Sequence, residues 1–447
     1  MITRSFIAPT RDAMIDTIMR STRRQWFQLA TTSAAASVAG AQTRSTAPLA
    51  EPLPAPIAAL KSRRGEAKPI TNQERQQRLE NAQRLMKESK IDAICMMGGS
   101  TLEYFTNIRW GNSERLFFMI LPQRGEPFFV TPSFEEDRSR EQIAKGPIGN
   151  NAHVMTWHED ESPYEKVAFG LKERGIRTGS LGFEETTKFV FTDSVGKAVP
   201  ALKAVNATPI TAGCRMIKSP AEIELMRLAS SVTLQAYEAA WKCLADGMTQ
   251  NQFAQLVSAA HTQLGFQGGA GVQVAEYSAL PHGSTKPQIV RPGTILLIDG
   301  GCKVEGYSSD ISRTFVLGKP TDKMNKVFDI VFQAQSAALK AARPGVTCES
   351  VDAAARKVIT DAGYGPDYKY FTHRVGHGMG LDGHEWPYLV RGNQLKLAPN
   401  MTFSDEPGVY IPGEFGVRIE DDMLITEKGA ELLTPRSLSL EQPFAKA

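Results

Sequence analysis

The sequence predicts a two-domain protein of the mixed α/β (α+β) class, and two patterns support this prediction. Between about residues 70 and 210, short apolar runs alternate with helical patterns, which is typical of an α/β layered domain. From about 215 to 434, two pairs of predicted helices are each followed by predicted strands, which indicates an internally duplicated fold. No apolar run in the sequence is long enough to cross a bilayer as a helix.

The first 41 residues predict an export signal rather than part of the fold. The segment Thr22–Phe27 resembles a twin-arginine signal, and a weakly apolar run leads to the small-residue cleavage pattern Ala39-Gly40-Ala41. Without this segment the chain keeps 46 of its 51 basic and 46 of its 48 acidic side chains. A net charge near zero argues against nucleic acid or an anionic membrane as partner. We therefore expect a periplasmic or exported protein.

Residues 42–69 are rich in Pro, Ala and Ser and predict a linker. The N-terminal domain, 70–210, begins with a helix through about Lys90, because Thr71 and Glu74 form a capping-box pattern. Its predicted strands are Ala93–Met97, Leu116–Leu121, Phe128–Val130, Val154–Trp157 and Leu181–Phe183. No motif that carries chemistry lies inside this domain.

The second domain, 215–434, follows a polar junction over 205–218 that predicts irregular structure. Ser219, Pro220 and Glu222 have the residue types of a helix N-terminus. The remaining predicted helices are 251–264, 322–342 and 349–362, and the predicted strands are 294–299, 311–317 and several between 397 and 433. The last residues, 435–447, predict a loose tail.

The most informative stretch is Thr372–Glu385, which contains three of the seven histidines among four glycines. Glycine lets the backbone approach a ligand closely. Histidines 373, 377 and 384 in such a setting indicate imidazoles presented to a metal ion and its substrate. The alternative interpretation is a Gly-rich surface loop with solvated histidines.

Four carboxylates strengthen the metal hypothesis. Asp299 ends the apolar run Thr294–Asp299, and Asp310, Glu406 and Glu420 follow in order. A carboxylate that closes an apolar strand is costly unless it is paired or bound to a cation. Together with one imidazole, these groups form an oxygen-rich set that suits a pair of Mn, Fe, Co or Zn ions better than one tetrahedral zinc. The competing interpretation is a structural cluster of salt bridges.

The series Asp299, Asp310, His377, Glu406 and Glu420 resembles the ligand series of the pita-bread metallopeptidases, which include aminopeptidase P, prolidase, methionine aminopeptidase and creatinase. The resemblance covers about residues 70–434. It implies a creatinase-type N-terminal domain followed by a pita-bread catalytic domain. Further positions match the accessory residues of the family: His282, His373, His384 and Arg418.

The resemblance also implies roles. Asp299 would bind one divalent ion, Asp310 and Glu420 would bridge two ions, and His377 and Glu406 would complete the second. Manganese is the first expectation for both ions, with Zn, Co or Fe as alternatives. A hydroxide between the ions would attack the peptide bond before a proline.

For catalysis, the resemblance implies Glu406 as general base and acid. His373 and His384 would hydrogen-bond the intermediate and the substrate amide, and His282 would line the pocket for the residue after the scissile bond. Arg418 would orient Glu420 or Asp299. The expected partners are an Xaa-Pro peptide and a second copy in a homodimer.

Among relatives, the sequence favours an Xaa-Pro aminopeptidase. Some prolidases place an arginine four residues after the histidine that matches His384, to hold the carboxylate of the dipeptide. Here that position is Tyr388, with Arg391 nearby. The alternatives are a prolidase (Xaa-Pro dipeptidase), a creatinase-like or lyase-like enzyme that acts on a small non-peptide substrate, and a non-catalytic pita-bread binding module. The complete ligand set argues against the last two.

Overall fold

The computed structural model describes residues 52–444. The predicted export signal, 1–41, and the first part of the predicted linker, 42–51, lie outside the described residues. Within 52–444, no helix is both long enough and apolar enough to span a membrane.

The N-terminal domain is a mixed six-stranded sheet with helices around it. Its strands are β1 Ala93–Met96, β2 Phe118–Pro122, β3 Phe128–Pro132, β4 His153–Trp157, β5 Gly179–Phe183 and β6 Leu202–Asn206. The spatial order is β4-β3-β2-β1-β5-β6, with β1–β2 and β2–β3 antiparallel and the other pairs parallel. Each of the five predicted apolar runs overlaps one of the strands β1 to β5, which confirms the α/β prediction for this domain.

Eleven α-helices lie in the described chain: α1 Ala55–Ala58, α2 Asn72–Ser89, α3 Ser100–Thr106, α4 Glu136–Ala144, α5 Pro163–Glu173, α6 Phe189–Ala198, α7 Thr208–Arg215, α8 Pro220–Trp241, α9 Gln250–Gln263, α10 Asp322–Ala341 and α11 Cys348–Ile359. Helix α8 begins at the predicted N-terminus with a capping box, since the Ser219 side chain accepts from Glu222 N and the Glu222 side chain accepts from Ser219 N. The junction expected to be irregular contains α7, so that expectation is wrong.

The second domain contains the two helix pairs α8/α9 and α10/α11, each packed on antiparallel strands. The first half has β7 Gly268–Val274, β8 Ile295–Val304, β9 Tyr307–Ser308 and β10 Ile311–Val316. The second half has β11 Gly376–Gly378, β12 Glu385–Leu389, β13 Thr402–Asp405, β14 Gly408–Ile411, β15 Phe415–Arg418, β16 Asp421–Ile425 and β17 Ala430–Leu432. The sheets run β10-β8-β7 and β12-β11-β13-β16-β17, with β14-β15 as a separate hairpin. The predicted duplication is therefore present.

Both segments that the composition marks as loose are docked on this domain. Ile57 of α1 is fully buried, and Arg63 donates from its backbone N to Leu264 O at 2.9 Å and from its side chain to Ser231 Oγ at 2.8 Å. Leu440 is also fully buried, and its carbonyl accepts from Val316 N. Within 52–444, the expectations of a free linker and a loose tail therefore give way to packed segments.

Candidate metal centre

The five predicted ligands meet where strands of both halves end. Asp299 lies on β8, Asp310 directly precedes β10, His377 is the central residue of β11, Glu406 follows β13, and Glu420 lies between β15 and β16. Ligand atoms of Asp299, Asp310 and Glu420 lie within 4.8 Å of one another, and so do those of His377, Glu406 and Glu420. Two triads thus share Glu420, although the five residues span more than a hundred positions of sequence.

The charges in this cluster do not balance. Burial and the neighbouring charge of Asp299 raise the pKa of Asp310 to about 7. Burial and the charge of Asp310 raise the pKa of Glu420 well above its usual range. Carboxylates crowded in a buried place repel one another unless a cation lies between them. Since the donors are oxygens plus one imidazole, the set fits two divalent ions.

His377 is oriented as a ligand would be. Its backbone N donates to Ser404 Oγ at 3.0 Å, and its Nδ1 lies 3.1 Å from Gly378 O. With the proton on Nδ1, the ring donates to that carbonyl and leaves the Nε2 lone pair directed at the cluster. Nε2 lies 3.2 Å from Glu406 Oε1 and 3.8 Å from Asp310 Oδ2.

Glu406 has the opposite titration behaviour to Asp310. Burial alone would raise its pKa, but at the low pH where Glu406 titrates both histidine rings are protonated, so the hydrogen bond from His377 and the charges of His373, His377 and Arg418 outweigh burial. The pKa of Glu406 falls to about 2. Its carboxylate is therefore ionised at neutral pH and able to accept a proton.

Arg418 contacts the carboxylates from behind the cluster. Its Nη2 lies 2.7 Å from Asp299 Oδ2, whereas its Nε lies 4.0 Å from Glu420 Oε2. The same Nε donates to Ser312 Oγ at 2.9 Å, and that hydroxyl lies 3.0 Å from Asp299 Oδ1 and 2.5 Å from Glu420 Oε2. Arg418 thus reaches Asp299 directly and Glu420 through Ser312.

The accessory histidines are placed unequally. The ring of His384 stacks on that of His377 with centroids 3.6 Å apart. His373 lies with Nε2 2.7 Å from the Tyr410 hydroxyl and Nδ1 3.8 Å from Glu406 Oε2. His282 is exposed, and within 52–444 no hydrogen bond or ion pair joins its side chain to the ligands. Its loop is nevertheless tied to the centre, because Arg418 Nη1 donates to Pro281 O at 3.3 Å.

Two residues of the centre escaped the sequence analysis. Tyr410 is buried, and its hydroxyl connects His373 to Arg418, whose Nη1 donates to it at 3.0 Å. Ser312 links Arg418 to two carboxylates, as described above. Tyr410 lies four residues after Glu406 and Ser312 two residues after Asp310, so proximity to predicted ligands is the signal that would have suggested them.

Comparison with known proteins agrees with this architecture. Residues 224–427 match metallopeptidase family M24, and residues 78–217 match the creatinase/prolidase N-terminal domain. A Xaa-Pro dipeptidase of Lactobacillus delbrueckii subsp. lactis is 32% identical over 381 residues, which covers 81% of this chain and 98% of the relative. This chain belongs to metallopeptidase family M24.

Solved structures show the same fold. Dipeptidase PepE from Mycobacterium ulcerans is 31% identical with a TM-score of 0.78, over 84% of this chain and 99% of that one. An X-Pro aminopeptidase from Thermotoga maritima MSB8 is 27% identical with a TM-score of 0.70, over 81% and 99%. The expected creatinase-type and pita-bread domains are confirmed, and the two triads agree with a dinuclear metallopeptidase of this family.

Proposed function

We propose that this protein is a Xaa-Pro dipeptidase that uses two divalent metal ions. The observation that carries the proposal is the pair of ligand triads that share Glu420. The substrate is taken from the relatives, since the Lactobacillus delbrueckii protein named a Xaa-Pro dipeptidase matches almost along its whole length. This support favours the dipeptidase alternative over the aminopeptidase that the sequence analysis preferred.

The metal-holding roles follow the two triads. Asp299, Asp310 and Glu420 would hold one ion, and His377, Glu406 and Glu420 the other, with manganese still our first expectation. When bound, two such ions supply an activated water molecule at neutral pH and polarise the peptide carbonyl. The oxygen-rich donor set is compatible with Mn, Zn, Co or Fe.

The remaining groups would manage protons and developing charge. Glu406, ionised at neutral pH, would accept a proton from the attacking water and return it to the proline nitrogen. Burial lowers the pKa values of His373 and His384, so both imidazoles are neutral at pH 7. Each neutral ring can donate one hydrogen bond to substrate or to the oxyanion. His282, which lines a cavity with Gln273, would contact the residue after the scissile bond.

The test is a comparison of substrates on the metal-loaded full-length protein. We expect two metal equivalents per chain by elemental analysis and faster hydrolysis of Ala-Pro than of Ala-Pro-Ala. Preference for the tripeptide would restore the aminopeptidase interpretation. Metal loading without hydrolysis of either peptide would favour a small non-peptide substrate, and absence of both would favour a binding module.

We also propose that residues 1–41 direct export by the twin-arginine route. The proposal is supported by Arg23-Arg24 and the small-residue pattern that follows. Replacing both arginines with lysine should leave the protein in the cytoplasmic fraction of a bacterial host, whereas the unchanged chain should reach the periplasm. Equal distribution of the two chains would contradict it.

A further inference from the structure

An arginine that the ligand series does not use lies beside the metal centre. Arg374 follows His373, and its guanidinium carbon lies 4.3 Å from the centre of the Tyr388 ring. Tyr388 is the cross-strand partner of His377 in the β11–β12 pair. Residues directly opposite each other in an antiparallel pair project from the same face of the sheet. Because His377 points into the centre, Tyr388 and the guanidinium above it lie on the metal-facing side.

This guanidinium has no anionic partner. Within 52–444, no carboxylate lies within 4.0 Å of Arg374, and its side chain donates no hydrogen bond. Other arginines around the centre are engaged: Arg391 pairs with Asp367 at 2.8 Å, Arg418 with Asp299 at 2.7 Å, and Arg356 with Asp352 at 3.0 Å. The Tyr388 ring holds the guanidinium in place by a cation–π contact and leaves its donors available.

We propose that Arg374 binds the C-terminal carboxylate of the dipeptide substrate and thereby sets the preference for dipeptides over longer peptides. This inference rests on the proposed function. An arginine presents paired N–H donors that match the two oxygens of a carboxylate. Tyr388, at the position where some prolidases carry an arginine, then serves as the platform for a cation that comes from the segment just before β11.

The geometry of a dipeptide places its carboxylate within reach. The carboxylate belongs to the residue directly after the scissile bond, so it lies roughly 4 Å from the carbonyl that is attacked. An anchor for it must therefore stand beside the ligands. Arg374 meets this requirement through Tyr388, because the guanidinium lies over a ring that stands directly opposite the predicted ligand His377 in the β11–β12 pair. A tripeptide carries its carboxylate about 3.5 Å further away and places an uncharged amide near the guanidinium.

The test compares the free acid Ala-Pro with its amide, Ala-Pro-NH2, on metal-loaded full-length protein. We expect the unchanged protein to prefer the acid. In Arg374→Met, kcat/KM for the acid should fall about 10- to 100-fold, chiefly through KM, because one charge-assisted contact is lost. The value for the amide should stay within about threefold of the unchanged protein, as the amide lacks the charge. Arg374→Lys, which keeps the charge, should recover part of the loss.

Arg391→Met is the matched control, since it removes an exposed arginine that is already paired with Asp367. It should leave both substrates unaffected. Product inhibition gives a second readout: L-proline should inhibit Arg374→Met more weakly than the unchanged protein, whereas inhibition by L-prolinamide should not change. If Arg374→Met does not fold, Arg374→Gln takes its place.

Each outcome has one meaning. Equal losses on acid and amide, or an unchanged value for the acid, would overturn the role of Arg374 while the dipeptidase proposal stands. Failure of the unchanged protein to cleave either substrate would instead overturn the proposed function itself. Loss of activity only in Arg391→Met would transfer the anchor to that residue and also overturn the inference.

Discussion

Two clusters of buried charge lie next to each other in the catalytic domain, and they differ in where their positive charge comes from. In the metal centre, four carboxylates face one ion-paired arginine, Arg418. In the second cluster, Glu385 contacts Arg215 and lies 3.3 Å from Lys218 Nζ. Asp382 joins this second cluster, since Arg215 lies 2.7 Å from its carboxylate. The two clusters are adjacent in sequence through His384 and Glu385.

The pKa values of Asp310 and Glu385 differ in the way that the two sets of neighbouring charges predict. Burial and Asp299 raise the pKa of Asp310 to about 7. Burial also acts on Glu385, but the charges of Lys218 and Arg215 outweigh it, and the pKa of Glu385 falls to about 2. The cluster around Glu385 supplies its own cations, whereas the cluster around Asp310 holds more buried carboxylates than its ion-paired arginine can neutralise. This distinction separates a metal site from a salt-bridge cluster, which residue types alone could not do.

Removal of Asp310 should give the largest effect. In Asp310→Ala, kcat/KM should fall by more than the roughly 10- to 100-fold typical of groups that only support metal ligands, and metal content should drop with it. The metal-free variant should melt no lower than the metal-free parent, because a repelling carboxylate is gone. Near-normal turnover would defeat the assignment. Asp361→Ala is the control, since that carboxylate pairs with Lys357 on the surface.

Removal of Glu385 should lower the stability of the protein and leave its metal content unchanged, which is the reverse of the effect expected for Asp310. Glu385→Ala leaves the buried cations of Arg215 and Lys218 without their common partner, which typically costs about 3–5 kcal/mol of unfolding free energy. Metal content should remain near that of the parent, because no ligand is removed. Denaturant unfolding and elemental analysis measure the two effects. Glu414→Ala, which breaks an exposed pair with Lys323, should change stability little. An undiminished midpoint for Glu385→Ala would refute the structural role.

Glu184 tests, through the pH dependence of stability, whether a buried carboxylate without a neighbouring cation has a raised pKa. Glu184 is buried without an ion pair in the described chain, accepts from Met97 N, and has a pKa that burial raises to about 7. Its folded pKa is above its unfolded value of 4.5, so stability should decline as pH rises from about 4.5 through 7. Relative to the parent, Glu184→Gln should gain up to about 3 kcal/mol between pH 5 and pH 8. A difference that is independent of pH would show that Glu184 is charged throughout.

The sequence could predict the fold and the grouping of the ligands because both leave local signals. Asp299 ends an apolar run, and Ser219 and Glu222 begin a helix with the expected residue types. The docked segments left no such signal. Ile57 and Leu440 stand in stretches of polar and Pro-rich composition, and only the tertiary structure shows what buries them.

The sequence analysis also did not predict contacts between residues that are far apart in the chain. Arg215 meets Glu385 across 170 positions, and the sequence analysis interpreted the junction that contains Arg215 as irregular although it forms helix α7. Arg374 likewise stands in the best-marked motif of the chain, yet its neighbour Tyr388 becomes visible only when β11 and β12 are paired. Sequence order identified the carboxylates and the histidine that converge in the candidate metal centre, whereas the contacts of Arg215, Lys218 and Arg374 became apparent only in the structure.

The smallest expected effect concerns Arg418, the arginine that forms an ion pair with Asp299 in the candidate metal centre. Its guanidinium fixes Asp299 directly and Glu420 through Ser312, so Arg418→Met should loosen both ligands without removing either. Loss of such a supporting group typically costs about 10- to 100-fold in metal affinity or activity. We expect kcat to fall and the metal dissociation constant to rise, while KM for Ala-Pro changes little. Arg418→Lys should recover part of the loss, because an ammonium can still reach Asp299. An unchanged metal affinity together with a higher KM would contradict this role, because it would indicate that Arg418 contacts the substrate. The positive charge that partly neutralises Asp299 and Glu420 would then have to come from another group.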